Sequence, residues 1–437
     1  MADDERAEQI VDVLRTAFED LIEADPGAFR GKFRKMARDP FAFYRGSASL
    51  FYADLGPSGT YAEDRWASGP GTRVWIQGDL HAENFGTYLA ADGRLVFDVN
   101  DFDEAYLGHW TWDLRRFVAS LALLCWQKAL PDAVIDDLVA AYVRAYAEHV
   151  RHYVEVADDT EWALTLANAE GAVLDALHRA KLRTRFALLE SVTAVDGYRR
   201  RFTEQDGVRR LEDAERDEVL TAFAAYQDTI PDLKRGSRVM FDVLDVVGKA
   251  GFGIGSAGLP AYNVLIEGFN QALDNDVVLT LKQGNVAAPS RVVTDGEFFR
   301  NQGHRTVLSQ RALQAHADRF LGWTELRGHG FVVSEYSPYE ADLDWSELTE
   351  PAEMDRLVRQ LGQATAKIHC VADEASDEQL VDGSVERIVS DSIGDDVEDL
   401  VADLRGFAHE YAARARRDHG LFVDAFRGGA FAEVAPA

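Results

Sequence analysis

Lysine is scarce in this chain. Eight Lys stand against 38 Arg in 437 residues, and 75 Asp and Glu leave a formal net charge of -29. So acidic a surface argues against partners that are themselves polyanions, namely nucleic acid or an anionic membrane. It fits a salt-rich cytoplasm, such as that of a haloarchaeon, where counter-ions screen the self-repulsion. Cysteine is nearly absent. Cys125 and Cys370 lie in apolar or helical stretches with no metal-ligand spacing, and a reducing cytosol is expected. No apolar run is long enough to span a bilayer, and Met1-Ala2-Asp3-Asp4-Glu5 does not read as a signal peptide. Internal repeats and low-complexity tracts are missing too. What is present is ample apolar material: 47% of the chain is hydrophobic, enough for two domains or one large two-lobed one.

The strongest functional signal is Gly78-Asp79-Leu80-His81-Ala82-Glu83-Asn84, which follows the apolar stretch Val74-Trp75-Ile76. A short strand running into a polar loop sets Asp79 where chemistry is carried on a rigid scaffold. Next, Phe85–Leu89, the turn Ala91-Asp92-Gly93 and Arg94–Phe97 read as a β-hairpin that returns the chain beside Asn84. It delivers a second acidic run, Asp98-Val99-Asn100-Asp101-Phe102-Asp103-Glu104. So many carboxylates repel one another unless a cation or nearby bases offset them. An Asp with an Asn five residues on, then a strand ending in Asp, is the pattern of a phosphoryl-transfer site. Asp79 accepts the proton of the attacking hydroxyl, while Asn84 and a later Asp hold Mg²⁺ against nucleotide phosphates. The plainer alternative is that these residues only cap turns.

Helices are expected over 5–24 and 27–38, where Ala7, Ile10, Val11, Leu14, Phe18 and Leu21 keep helical spacing. Arg45 is read as a structural partner for local acids, with a phosphate or carboxylate contact as the alternative. Residues 110–230 read as helix-rich, with 175–215 as a helical hairpin over the site. The character then changes. A strand over 243–250, the glycine-rich Gly251-Phe252-Gly253-Ile254-Gly255-Ser256-Ala257-Gly258, a strand over 262–268, a turn and a strand ending in Lys282 follow in order. Glycines let backbone N–H groups approach phosphates, and a strand lysine pairs with them. A helix over 300–319, a strand over 330–336 and a helix over 354–369 complete the pattern.

The 78–84 loop resembles that of aminoglycoside phosphotransferases and choline kinases, with Gln77 in place of the usual His. Asn100–Ala105 resembles their metal segment, which makes Asp101 the first choice of metal ligand and Asp98 its rival. Gly108–Leu114 resembles the segment that follows, with Asp113 bracing the catalytic loop. Residues 300–319, 330–336 and 354–369 resemble the small-lobe helix, the hinge strand and the large-lobe helix that leads into the catalytic loop. Here that loop lies far upstream. The resemblance therefore implies an α+β, protein-kinase-like two-lobed fold, circularly permuted. It has a helix-rich large lobe over 1–235 with the catalytic and metal loops, a β-rich nucleotide-binding small lobe over 236–345, and helices over 346–437 returning to the large lobe. It implies an ATP- and Mg²⁺-dependent phosphotransferase acting on a small-molecule hydroxyl. Lys282, Gly251, Gly253, Gly255, Ser256 and Glu335 are the expected nucleotide contacts. The family pattern pairs the strand lysine with a helix Glu, but residues 300–317 hold no acid. Glu297 or the neutral Gln310 are the candidates. That departure leaves AMP transfer, or a non-catalytic nucleotide-binding pseudokinase, as alternatives. The chain as a whole resembles domain-of-unknown-function family 2252 through Tyr44-Arg45-Gly46, 78–86, 97–104, Trp112–Arg116 and Gly253–Ser256.

Overall fold

A computed structural model describes residues 3–66, 70–156, 161–231, 234, 236–237, 239–249, 259–294, 299–374 and 378–434. The glycine-rich stretch 251–258 and Glu297 lie outside the described residues. The fold is α+β, with several small antiparallel sheets set among helices.

The N-terminal helix Asp3–Ala24 buries Ile10, Leu14, Phe18 and Ile22 along one face. Asp25 then caps the helix Pro26–Met36 by accepting the Ala28 N–H at 2.9 Å, with Pro26 in the first turn. The first and last helices meet here: Phe29 and Phe33 pack with Phe422 of the long helix Val397–Arg427 and with Phe431 beyond it. Arg6, fully buried, bridges Asp54 at 2.8 Å and Asp418 at 2.6 Å.

The main core surrounds the helix Trp110–Gln127, buried over most of its circumference. Around it lie the helices Asp132–Glu155, Pro351–Cys370 and Val397–Arg427 and two small sheets. In one, Arg73–Ile76 pairs antiparallel with Tyr106–His109. In the other, Phe85–Leu89 and Leu95–Val99 form the expected hairpin, and Leu164–Thr165 adds to its edge.

A second core lies under a six-stranded antiparallel sheet. Its order is Gly322–Leu326, His329–Glu335, Val277–Gln283, Ala261–Ile266, Val243–Lys249 and Val208–Arg209. Strands Ala261–Ile266 and Val277–Gln283 lie in the middle, and Val264, Leu279 and Leu281 face the helix residues Val219, Phe223 and Tyr226. That helix, Asp213–Tyr226, packs into the sheet's core ahead of the change in sequence character near 235. The expected helical hairpin over 175–215 is only half helical. Helices Gly171–Lys181 and Arg185–Val192 give way to a β-hairpin, Thr193–Asp196 with Arg199–Phe202. Its arginines are tolerated because Arg199 and Arg201 point to solvent while Arg200 bonds Glu190 and Thr193. The pair packs on the 335–342 linker rather than over Asp79: Arg183 donates to Glu340 O and Arg185 to Glu335. Among the described residues no helix is long and apolar enough to cross a membrane.

Candidate active site

The 78–84 loop is anchored from below before any chemistry is considered. Asp113, in the first turn of Trp110–Gln127, accepts the Gln77 N–H at 2.7 Å and the Gly78 N–H at 3.0 Å. His369, near the end of Pro351–Cys370, lies 3.2 Å from the same carboxylate through Nε2, and its Nδ1 lies 2.9 Å from the Tyr146 hydroxyl. The bracing role expected of Asp113 thus has its geometry, and the helix expected beside the loop is there. Gly78 is forced to be glycine twice over. Its φ is +86°, and a Cβ would run into the Glu104 carbonyl oxygen. That close approach knits the loop to the acidic run.

Asp79 is held by Arg116, whose Nη2 and Nε reach Oδ1 at 2.6 and 2.7 Å. Arg116 is buried, stacked 4.0 Å over the Tyr44 ring, and donates to Tyr44 O. Among the described residues Oδ2 of Asp79 accepts no hydrogen bond, and His81 Nε2 lies 3.9 Å from it. Burial raises the Asp79 carboxyl to about 6 against the pull of Arg116, and Asp101 adds to the rise. Burial and the neighbouring Arg45 and Arg116 keep His81 neutral, well below the ordinary histidine range. Asn84 donates its amide to Asp79 O at 2.9 Å, and its own carbonyl takes the Asn100 N–H at 3.1 Å. The loop and the hairpin end are therefore one unit.

The two rival aspartates separate sharply. Asp98 is buried: Oδ2 takes the buried Lys367 ammonium and Oδ1 the Val99 N–H at 2.8 Å. Asp101 is exposed, with φ 56°, while its carbonyl takes the Gln77 amide. Surrounding protein nonetheless raises its pKa, and the Asp103 carboxylate adds to the rise. Asp103 bonds Lys282 Nζ, 179 positions away in sequence. Burial alone would lower the Lys282 ammonium, but Asp103 and then Asp101 carry it above the ordinary lysine value. Glu104 accepts the Ala288 N–H, and burial raises its carboxyl to about 7 with Asp79 contributing.

The partner of Lys282 is thus Asp103, within the acidic run itself. Gln310 instead donates to Gln314 at 2.9 Å. Helix Gln302–Leu313 does reach the acidic run, but with the opposite charge. The buried Arg305 donates to Asp103 O at 2.6 Å, to Asn285 O at 2.8 Å and to Ala105 O. Glu335 stays away from these groups: Arg185 takes its carboxylate at 2.7 Å, and its N–H donates to Asp318 at 2.8 Å. Arg45 pairs with Glu83, as a structural arginine would. Arg116, Arg305 and Lys367 carry no signal in the sequence that marks them for the site. Arg116 sits inside the motif Trp112–Arg116, but nothing in its spacing names Asp79.

Among the described residues no group of three or more His, Cys, Asp and Glu is arranged to hold a metal ion by itself. Such a group is not needed for a nucleotide-bound Mg²⁺, which takes one or two protein carboxylates and completes its shell with phosphate and water. Asp101, exposed and without an ion pair among the described residues, beside the Asn84 loop, fits that requirement; Asp98, neutralised by Lys367, does not.

The fold is therefore an α+β fold with an acidic cleft between a helix-braced loop and the end of an antiparallel sheet. The chain belongs to the family described as an uncharacterized protein conserved in bacteria (DUF2252), which matches residues 24–425. No curated protein and no solved structure matches it.

Proposed function

We propose that this protein is an ATP- and Mg²⁺-dependent phosphotransferase of a circularly permuted, kinase-like kind, acting on the hydroxyl of a small molecule. One observation carries the reading: the loop holding Asp79 and Asn84 and the strand end holding Lys282 meet at one acidic run that includes Asp101, with Lys282 bonded to Asp103. The permutation draws support from His369, at the end of helix Pro351–Cys370, which meets Asp113, the residue that braces the loop this helix would precede in an unpermuted chain. In this reading the helix-rich part carrying the 78–104 site is the large lobe and the β-rich part carrying Lys282, joined by strand Val208–Arg209 and helix Asp213–Tyr226, is the small lobe.

The roles divide among the residues. Asp79 takes the hydroxyl proton on Oδ2, the oxygen to which Arg116 donates no hydrogen bond, while the hydroxyl oxygen bonds the γ-phosphorus and the β,γ-bridging oxygen departs with its electron pair. Arg116 fixes the direction of that carboxylate. Asn84 and Asp101 would hold the cation, and Lys282 would leave Asp103 to meet phosphate oxygens. Bound Mg²⁺ would supply the charge that the crowded carboxylates call for. Gly251, Gly253, Gly255 and Ser256 would approach the phosphates through backbone N–H groups, and Glu335 would border the base. The acidic, lysine-poor surface supports a salt-rich cytoplasm as the setting.

AMP transfer is the second reading, favoured by the absence of a helix carboxylate for Lys282, whose partner is Asp103. Incubation with ATP labelled at the α or the γ position, against a metabolite pool in high salt, separates the two. Label transferred from γ alone is expected. Transfer from α would establish the second reading, and no transfer with intact Mg·ATP binding would establish a pseudokinase.

A further inference from the structure

A cleft of about 1230 Å³ opens between the two N-terminal helices and one end of the six-stranded sheet. It adjoins a small cavity lined by Asp79 and Glu104, and Phe18, Lys32, Asn285 and Arg291 line both. Three of the chain's eight lysines, Lys32, Lys35 and Lys249, lie on its walls. Acids line it too, at Glu19, Asp20 and Asp25, but these are exposed, as are Lys35 and Arg291. Exposed charges of either sign are screened in salt.

Lys32 differs from all of them. It is the charged residue of the cleft that is buried, 4% exposed. Among the described residues it has neither a hydrogen bond nor an ion pair; its ammonium lies 3.8 Å from the Phe18 ring centre and 5.6 Å from that of Phe29. An ammonium enclosed to this degree is costly unless an anion meets it. The carboxylates nearest in effect, Glu104 and Asp79, are already bonded to Ala288 N–H and to Arg116. Burial accordingly lowers the Lys32 ammonium to about 8, with Glu104 and Asp79 offsetting part of the drop.

We infer that this cleft is the acceptor site and that the acceptor carries an anionic oxygen group, such as a carboxylate, sulfonate or phosphate, which Lys32 holds while the acceptor's hydroxyl faces Asp79. The inference rests on the phosphotransferase reading and adds the substrate class. It also gives the N-terminal helices a role, as the wall that selects the acceptor.

Inorganic phosphate is the probe, titrated calorimetrically at fixed high ionic strength, with and without a Mg-bound non-hydrolysable ATP analogue. Phosphate should bind in both conditions. Lys32→Met, which keeps an unbranched side chain against the two Phe rings, should weaken phosphate by about tenfold or more, the ordinary worth of a charge-assisted hydrogen bond. Lys32→Arg should keep most of it, and analogue binding should be unchanged in both variants. On the unaltered protein, phosphate should slow reductive methylation of Lys32 but not of the exposed Lys181, a readout that does not depend on a variant folding. Phosphate binding that ignores Lys32→Met, together with unprotected Lys32, would overturn the inference. So would phosphate that competes with the analogue, since Lys32 would then be a nucleotide contact. Phosphate held by Lys32 with no analogue binding at all would overturn the phosphotransferase reading and reduce the cleft to an anion site.

Discussion

Asp98, at the end of the strand Leu95–Val99, spends both oxygens within the protein, on Lys367 and on the Val99 N–H. Asp101, in the loop that follows, is exposed, left-handed in its backbone and beside Asp103. The same contrast runs through the whole region. On the core side, Asp113 is satisfied by Gln77, Gly78 and His369. On the cleft side, Asp79 Oδ2 accepts no hydrogen bond among the described residues, and Asp79 and Glu104 are pushed up to about 6 and 7. Carboxylates whose bonding is complete build the scaffold. Carboxylates crowded together and incompletely paired are the ones a cation or a substrate would complete.

The largest effect should come from breaking the core side. Lys367→Met leaves Asp98 buried without its counter-charge and should cost about 3–5 kcal/mol in chemical denaturation. Adding Asp98→Asn should recover much of that loss. By contrast, Asp101→Asn in the cleft should leave stability unchanged or slightly higher, because it removes repulsion. A loss for Asp101→Asn equal to that of Lys367→Met would erase the distinction between the two sides.

Gly78→Ala tests the seam between them. The left-handed backbone alone should cost about 1–3 kcal/mol, and the clash with the Glu104 carbonyl adds to it. An unshifted melting curve would show that the seam is not tight.

A smaller effect is expected from pH. The Asp79 and Glu104 carboxyls titrate higher in the folded chain, at about 6 and 7, than at their unfolded values of 3.8 and 4.5. The folded state therefore holds protons that the unfolded state has released, and the stability this contributes is lost as pH rises from about 4 to about 7. Millimolar Mg²⁺ should offset that loss, and it should do so less in Asp101→Asn. Thermal melts across this range, at matched ionic strength in NaCl, would reveal it. Identical curves with and without Mg²⁺ would count against a cation at the cleft.

Much of this arrangement is legible in the sequence. The Asp79–Asn84 loop, the hairpin behind it and the strand order leading to Lys282 follow from local pattern, where spacing and turn chemistry suffice, and the bracing Asp113 follows from the family resemblance. The side chains that complete the site do not. Arg116 meeting Asp79, Lys367 meeting Asp98 and Asp103 meeting Lys282 are pairings across tens to hundreds of residues, and no periodicity encodes them. The β-hairpin 193–202 reads as helix in the sequence because Arg-rich strands lack the β-branched alternation that marks a half-buried sheet. Lys32 gives a faint signal, as one of eight lysines, but its burial is a property of the packed helices.

The central claim, that the cleft carboxylates bind a nucleotide's cation and accept a proton in separate roles, is met most directly by Mg·ATP titration alongside label transfer in Asp79→Asn and Asp101→Asn. Asp79→Asn should bind Mg·ATP nearly as well as the unaltered protein and lose transfer by about a hundredfold or more, the usual contribution of a positioned base. Asp101→Asn should weaken Mg·ATP binding itself. Small and equal effects from both substitutions would contradict the account and leave these residues as caps of turns.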